Sequence, residues 1–472
     1  MPKKAIPLLI FLLAFSIQLA TFSPWDTLTY DGALYIDIAR NLVRSPSNFT
    51  YQGVYVMYRP PLYPYTLSIA YHFVKEPLRQ LSIARIVSVV FFSLTALLVY
   101  LLSRELFEDR TKSIIASLFF MFNPLALTMG GRELVHSQFT FFYTLAIYLF
   151  YTGRKYGNRE KVLLAFIAGG FAILTRYTGL SIVGVFFTYL WLVEYWGWVR
   201  EKTYWIGILL LLLTLFPWLY MGHLYYGGAL KPFSIGMRAV TVDKPVAVSE
   251  YLKMILRDMG KIVPALALLG LLMQKQDERG WLLISWAIVG LCGILMVTHK
   301  ETRFITFLSP ALAILSADGL EAILNIIKET IKSLTEKKKL EAVLLTALVV
   351  ILLTPTAMSA YHLKNKWNTV GKYESHTLRF ASEHYPAEKI LTSPSLYTMT
   401  GFYYPGARVE MPITKVCAEK LKNGYYQLII YKESDGLLPP PPEENYVLAV
   451  ELYHGKFKIY VKKSHSNAPA SQ

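Results

Sequence analysis

Eleven apolar runs, joined mostly by short polar connections, organise this 472-residue chain. They lie at Ala5–Phe22, Ile86–Leu102, Ile114–Met129, Leu134–Tyr151, Val162–Leu174, Leu180–Trp198, Trp205–Tyr220, Ile262–Met273, Trp281–Val297, Phe304–Leu315 and Ala342–Met358. Runs of this length and repetition have one common solution, a bundle of membrane-spanning helices, because a helix satisfies its own backbone amides in hydrocarbon. The runs starting at Val162, Ile262 and Phe304 fall short of a comfortable span and borrow flanking polar turns. Hydrophobic residues make up 54% of the chain and charged residues 17%, and the mean hydropathy is +0.36. That balance excludes a disordered chain and an ordinary soluble enzyme.

The formal charge of +16 fits a membrane protein that keeps Lys and Arg in its cytoplasmic loops better than it fits a nucleic-acid binder. Lys3 and Lys4 precede the first run, no small-x-small cleavage site follows it, and the run reads as an uncleaved first helix. With that end inside, the cytoplasmic connections hold Arg104, Arg110, Lys112, Arg154, Lys155, Arg159, Lys161, Arg200, Lys202, Lys275, Arg279, Lys328, Lys332 and the Lys337-Lys338-Lys339 cluster. The short connections on the opposite side hold only Arg132, Arg176, Lys300 and Arg303. An odd number of spans then places everything after about Ser359 outside.

The expected fold class is an α-helical polytopic membrane protein of about eleven transmembrane helices with a small extracytoplasmic C-terminal α+β domain. The expected division is a membrane domain over residues 1–358 and a soluble domain over 359–472, where Tyr426–Tyr431 and Tyr446–Leu452 read as strands. Within the membrane domain, a first outer loop spans residues 23–83 and a charged amphipathic helix, Asp318–Lys339, lies on the inner leaflet. Cys292 and Cys417 are too differently placed to suggest a disulfide.

This topology collects a set of ionisable residues at one membrane face. The first outer loop supplies Trp25-Asp26, the tract Tyr30-Asp31-Gly32-Ala33-Leu34-Tyr35, with helical spacing of apolar residues on to Leu42, and then Tyr58-Arg59-Pro60-Pro61-Leu62. Short turns supply Arg132-Glu133, Thr175-Arg176-Tyr177 and His299-Lys300-Glu301-Thr302-Arg303. Charges at helix ends near a bilayer are costly unless they reach water, pair or line a polar cavity. Guanidinium groups bind phosphate through paired donors, and a nearby carboxylate suggests proton abstraction. The plain alternatives are that single arginines anchor helix ends to lipid phosphate and that Asp31 caps a helix. Walker A, Rossmann, GxSxG and HExxH patterns are missing, and the histidines show no metal-ligand spacing.

In these motifs the sequence resembles the polytopic C-type (GT-C) glycosyltransferases, near the protein O-mannosyltransferase and lipid A aminoarabinose transferase branch. Asp31-Gly32 with Tyr35 and Ala39 looks like the family's acidic motif in the first outer loop, and Arg59-Pro60-Pro61-Leu62 resembles its basic residue before a Pro-Pro-Leu turn. Leu174-Thr175-Arg176-Tyr177 is similar to a Leu-Thr-Lys-Gly stretch, and Arg303-Phe304 to an Arg-Tyr motif. Two positions depart: Gly32 stands where the second acid of the pair is usual, and Gln138 stands near the acid that enters the fourth span, with Glu133 one turn earlier to supply the charge.

The resemblance implies an inverting transferase that moves a sugar from a polyprenyl- or dolichyl-phosphate carrier to a hydroxyl on a protein, lipid or glycan, at the extracytoplasmic face. Asp31 and Glu133 are the implied catalytic residues. Arg59, Tyr35, Tyr58, Arg132, Arg176, Lys300, Arg303 and His299 are the implied substrate-binding set. The partners are the lipid-linked donor, the bilayer and a protein or lipid acceptor, with no nucleic acid; no cofactor is demanded, although a divalent metal bridging phosphate and carboxylate is compatible with the set. The competing reading from another class is a transporter or flippase for a lipid-linked substrate, disfavoured by the scarcity of acids within the spans.

Overall fold

The computed structural model describes residues 5–24, 27–242, 245–330, 338–436 and 441–463. Lys3, Lys4, Trp25, Asp26, Lys332 and Lys337 therefore lie outside the described residues. The helices, in chain order, are α1 (Ile6–Ala20), α2 (Tyr30–Arg44), α3 (Leu62–Tyr71), α4 (Pro77–Phe107), α5 (Arg110–Met121), α6 (Pro124–Gly130) and α7 (His136–Lys155). They continue with α8 (Arg159–Thr175), α9 (Ser181–Glu194), α10 (Lys202–Tyr226), α11 (Lys231–Val242), α12 (Val248–Met259), α13 (Ile262–Leu272) and α14 (Glu278–Leu295). The last are α15 (Ser309–Thr330), α16 (Lys338–Trp367), α17 (Lys372–His384), α18 (Tyr397–Tyr403) and α19 (Lys415–Lys422). The strands are β1 (Thr50–Tyr51), β2 (Val54–Tyr55), β3 (Lys389–Thr392), β4 (Arg408–Glu410), β5 (Leu428–Lys432), β6 (Tyr446–Leu452) and β7 (Phe457–Lys462).

Each of the eleven apolar runs is mainly helical, the run from Phe304 beginning as a 3-10 turn. Among the described residues, six helical segments are long and apolar enough to cross a membrane, or seven if α5 and α6, bent by 64° at their junction, form one span. The bend has a local cause: the Asn123 side chain accepts from the Leu125 and Ala126 amides, restarting the helix at Pro124. Helices α1 and α13 are apolar but shorter. Helix α7 is diluted by Gln138, Thr140, Thr144 and Thr152, and it buries that polar face.

The chain divides into two compact units, Met1–Phe22 with Met57–Tyr63 and Arg85–Trp367, and Ser23–Val56 with Pro64–Ala84 and Asn368–Gln472. This division differs from the expected boundary at residue 358. Helix α16 runs unbroken to Trp367, and most of the first outer loop clusters with the C-terminal segment rather than with the membrane helices.

In the first, helical unit, small residues let neighbouring backbones approach. A Cβ on Gly270 of α13 would come within 2.0 Å of the Leu315 carbonyl oxygen in α15, and one on Gly319 within 2.1 Å of the Leu266 oxygen. The expected amphipathic stretch from Asp318 begins within α15, where Gly319, Leu320 and Leu324 are buried, and its residues 331–337 lie outside the described residues. Asp318 accepts from Gln274 at 2.7 Å and pairs with Lys112, which removes it from a lipid-facing role. Lys112 also pairs with Glu321, Arg154 pairs with Glu194 and Glu278, and Lys155 reaches Glu105 and Glu108.

In the second unit, five strands run in the order β4-β3-β5-β7-β6, with β3 parallel to both neighbours and the β5, β7 and β6 pairs antiparallel. Strands β5 and β6 lie on the two segments expected to be extended. Their core contains Leu391, Leu421, Tyr426, Ile429 and Tyr446. Helix α2 buries its apolar stripe, including Leu34, Ile38 and Leu42, inside this unit.

Candidate active site

In the helical unit, chemistry gathers where the α6–α7, α8–α9 and α14–α15 connections meet the C-terminal end of α16. Glu133, in the connection after α6, is fully buried between two arginines. Arg85 of α4 donates through Nε to Glu133 Oε2 at 2.8 Å, and Arg132 donates to Oε1 at 3.2 Å. Arg132 also donates to the Trp367 carbonyl at 3.4 Å, which fastens the end of α16. Burial alone would raise the Glu133 carboxyl, but Arg132 and Arg85 outweigh it and hold it well below the usual carboxylate range. A carboxylate held in this way is a weak proton acceptor. The arrangement favours an anchoring role for Glu133 over the catalytic one expected of it.

Beside this pair, two further arginines converge on one ring. Arg176, at the C-terminal end of α8, lies 4.1 Å from the Phe304 ring centre, and Arg303 lies 5.8 Å from the same ring and 6.0 Å from Trp367. Arg176 also meets His136 Nδ1 at 3.2 Å. Arg303 donates to both oxygens of Glu301, at 2.5 and 3.0 Å, and His299 Nε2 lies 3.0 Å from Glu301 Oε1. Glu301, an acid whose role its place in the motif does not reveal, thereby orients both Arg303 and His299. Arg85, Arg132, Arg176 and Arg303 are thus gathered with Glu133 and Glu301 at this end of the unit, and Arg85, Arg132 and Glu133 are fully buried.

The Arg59 segment belongs to the same end. Tyr177, next to Arg176, donates to the Met57 carbonyl at 2.8 Å and accepts from Trp218 Nε1 at 2.9 Å. Arg59 stacks over Tyr58 at 5.4 Å, and Pro60-Pro61 then admit α3 at Leu62. Gly236 of α11 packs so tightly here that a Cβ would lie 2.9 Å from both the Tyr177 ring and the Tyr58 carbonyl.

Lys300 departs from the expectation of a phosphate ligand. It is buried, and its ammonium donates to the Val246 carbonyl at 3.0 Å, tying the α11–α12 connection to the α14–α15 connection. Two other participants were missed from the sequence. Arg85 sat at the polar edge of an apolar run, where a snorkelling cation is the default reading. Lys364 is buried near the end of α16 and donates to Gln18 at 2.7 Å, which joins α1 to α16. Its only signal was a cation just beyond an apolar run. Among the described residues, no group of three or more His, Cys, Asp or Glu is placed to hold a metal.

Asp31 and Tyr35 lie in the second unit, on α2. Thr29 caps that helix by accepting from the Gly32 amide at 3.1 Å, so Asp31 occupies the first turn and is not its N-cap. A first-turn carboxylate is favoured by the helix dipole. Tyr35 is buried on the apolar stripe, 4% exposed, which suits it to packing more than to stacking on a sugar.

Residues 58–221 match the dolichyl-phosphate-mannose-protein mannosyltransferase family. A protein from Aquifex aeolicus (strain VF5) is 28% identical over 149 residues, 30% of this chain and 29% of that protein, so the match spans under a third of the relative's length. The structure of ArnT from Cupriavidus metallidurans bound to undecaprenyl phosphate superposes with a TM-score of 0.73 at 13% identity, covering 98% of this chain and 99% of that one. The archaeal oligosaccharyltransferase AglB from Archaeoglobus fulgidus, in complex with an inhibitory peptide and a dolichol-phosphate, gives a TM-score of 0.63 at 12% identity, covering 91% and 70%.

Proposed function

We propose that this chain, a polytopic membrane glycosyltransferase of the GT-C fold, moves a sugar from a polyprenyl- or dolichyl-phosphate carrier to a hydroxyl acceptor at the extracytoplasmic face, with inversion. The observation that carries the reading is the convergence of Arg176 and Arg303 on Phe304, beside the buried Arg85–Glu133–Arg132 group. A dianionic phosphate monoester leaving the anomeric carbon needs stabilisation as charge develops on its bridging oxygen, and guanidinium groups in a partly dehydrated setting supply it without reorganising. Arg303, held at both oxygens of Glu301, and Arg176 are the proposed phosphate contacts, together with Arg59. Lys300 is left out of that set, because its ammonium is engaged by backbone carbonyls.

Asp31 is proposed as the base that takes the proton of the acceptor hydroxyl. Two things support it: its motif resembles the family's acidic one, and the capping role that would explain it otherwise belongs to Thr29. No nucleotide enters the reaction. The structures bound to undecaprenyl phosphate and dolichol-phosphate, named for the proteins of like fold, favour a long-chain lipid phosphate as the carrier.

The test is binding and transfer with a panel of polyprenyl-phosphate sugars, comparing wild type with Arg303→Gln and Arg176→Gln. The proposal expects transfer by the wild type and a rise of about ten-fold or more in the donor KM for each variant. Unchanged donor affinity in both variants would remove this cluster as the phosphate site.

A further inference from the structure

The C-terminal segment meets α2 at the turn that carries Asp31. Thr398, in α18 and 2% exposed, donates its hydroxyl to the Tyr30 carbonyl at 2.8 Å, one residue before Asp31. On the chain entering α2, Gly371 sits so close that a Cβ would lie 2.1 Å from the Leu28 carbonyl oxygen, and Gly371 has a φ of +75°. Thr29 between them is engaged in capping. Leu28 and Tyr30 are thus each contacted by a residue more than three hundred positions later in the chain.

Helix α18 is itself fixed on both of its faces. Thr400 donates to Thr392 of β3 at 3.2 Å, which links it to the sheet. Tyr51 of β1 donates to the Tyr397 carbonyl at 2.6 Å with its ring edge-on to Tyr397 at 4.9 Å. A Cβ on Gly401 would lie 2.6 Å from the Tyr51 hydroxyl, so this spacing admits no side chain. Further along α2, Arg40 donates to the Phe402 carbonyl at 3.2 Å and to Gln80 at 2.6 Å. Gln52, just beyond β1, donates to the Ala407 carbonyl at 3.1 Å and accepts from the Val409 amide at 3.0 Å.

We infer that the C-terminal segment is a positioning element for the first turn of α2, with Thr398 as the positioning residue that sets the backbone from which Asp31 projects. Its consequence for catalysis rests on the assignment of Asp31 as the base. Two tight glycine approaches and five hydrogen bonds to α2 and β1–β2 residues are more than a simple cover would need. They also act where displacement matters most, since a base moved by about 1 Å costs on the order of a hundred-fold in rate.

The experiment measures hydrogen exchange of the α2 amides in the full-length protein in detergent, for wild type, Thr398→Val and Thr398→Ser, alongside kcat and donor KM with the polyprenyl-phosphate sugar panel. Thr398→Val should speed exchange in the first turn of α2 by about ten-fold while leaving the last turn unchanged. It should also lower kcat with donor KM and unfolding temperature near wild type, and Thr398→Ser should restore both. First-turn exchange identical to wild type in a folded Thr398→Val protein would overturn the inference. Faster exchange in that variant, together with normal turnover by Asp31→Asn, would uphold the positioning element and sink only the assignment of the base.

Discussion

Single substitutions at Glu133, Arg303 and Asp37 bear most directly on stability, donor binding and pH dependence. Glu133 is bonded to both Arg85 and Arg132. Replacing it by Gln leaves two buried guanidiniums facing a neutral group, which should cost about 3 kcal/mol or more in stability. The prediction is a clear fall in thermal unfolding temperature in detergent, and an unshifted transition would show that these guanidiniums find other partners. Arg303→Lys keeps the charge but loses the fork that meets both oxygens of Glu301, so donor KM should rise well above wild type although the net charge is unchanged. Asp37 supplies a pH test in the second unit. Burial pushes its carboxyl up to about 6 against the pull of Arg40 and Arg44, and Tyr51 lies within its electrostatic reach. The folded protein then holds this proton more tightly than the unfolded chain, so stability falls as pH rises from about 4 to about 6, by at most about 3 kcal/mol, and is level above. Asp37→Asn should flatten that slope in unfolding measured across this range. A slope equal to wild type would assign it to another group.

At the level of elements, the close crossing of α13 and α15 is the most exposed to a single change. Gly319→Val puts branched carbon where the Leu266 carbonyl already lies 2.1 Å from an ideal Cβ. Backbone cannot yield as a side-chain end can, so the variant should elute as aggregate in detergent size-exclusion chromatography, and a wild-type profile would deny the crossing. The helices themselves were legible because apolar length alone dictates them in lipid. Other features were not. The break at Asn123 depends on a side chain capping the amides after it, and Pro124 reads equally well as a kink within a span. Asp318 looked like the polar face of a surface helix because its partners, Lys112 and Gln274, are distant in sequence. The strands β5 and β6 were readable from alternation, whereas β3 and β4 are short and parallel, and their pairing is fixed only by tertiary contacts.

For the whole molecule, the sequence led to the right kind of fold, and the two compact units divide the chain differently from the boundary expected at residue 358. Tyr51, Gln52 and Arg40 carried no sign that their partners lie near residue 400, since hydrogen bonds to backbone carbonyls leave no pattern in the distant segment. The basic cluster was partly legible: Arg132, Arg176 and Arg303 stood out as rare cations on one side, while Arg85 and Lys364 were hidden at the edges of apolar runs. The charge asymmetry of the loops predicts that the connections holding Arg132, Arg176 and Arg303 and the C-terminal segment face the cell exterior. An impermeant thiol reagent applied to intact cells should therefore label Cys417, which is partly exposed, and labelling seen only after lysis would reverse the orientation. Transfer is also expected to survive chelation of divalent metal, and loss restored by added magnesium would add an ion to the site.

The central claim is glycosyl transfer from a lipid phosphate with Asp31 as base. Its most direct test follows radiolabelled sugar from a panel of polyprenyl-phosphate sugars into membrane lipids and proteins, using purified wild type and Asp31→Asn in one detergent. Transfer by the wild type, with Asp31→Asn reduced by a factor of about a hundred or more at comparable donor binding, is the predicted result. Equal transfer by the two proteins would contradict the assignment of the base, and no transfer from any donor by folded wild-type protein would contradict the proposed reaction itself.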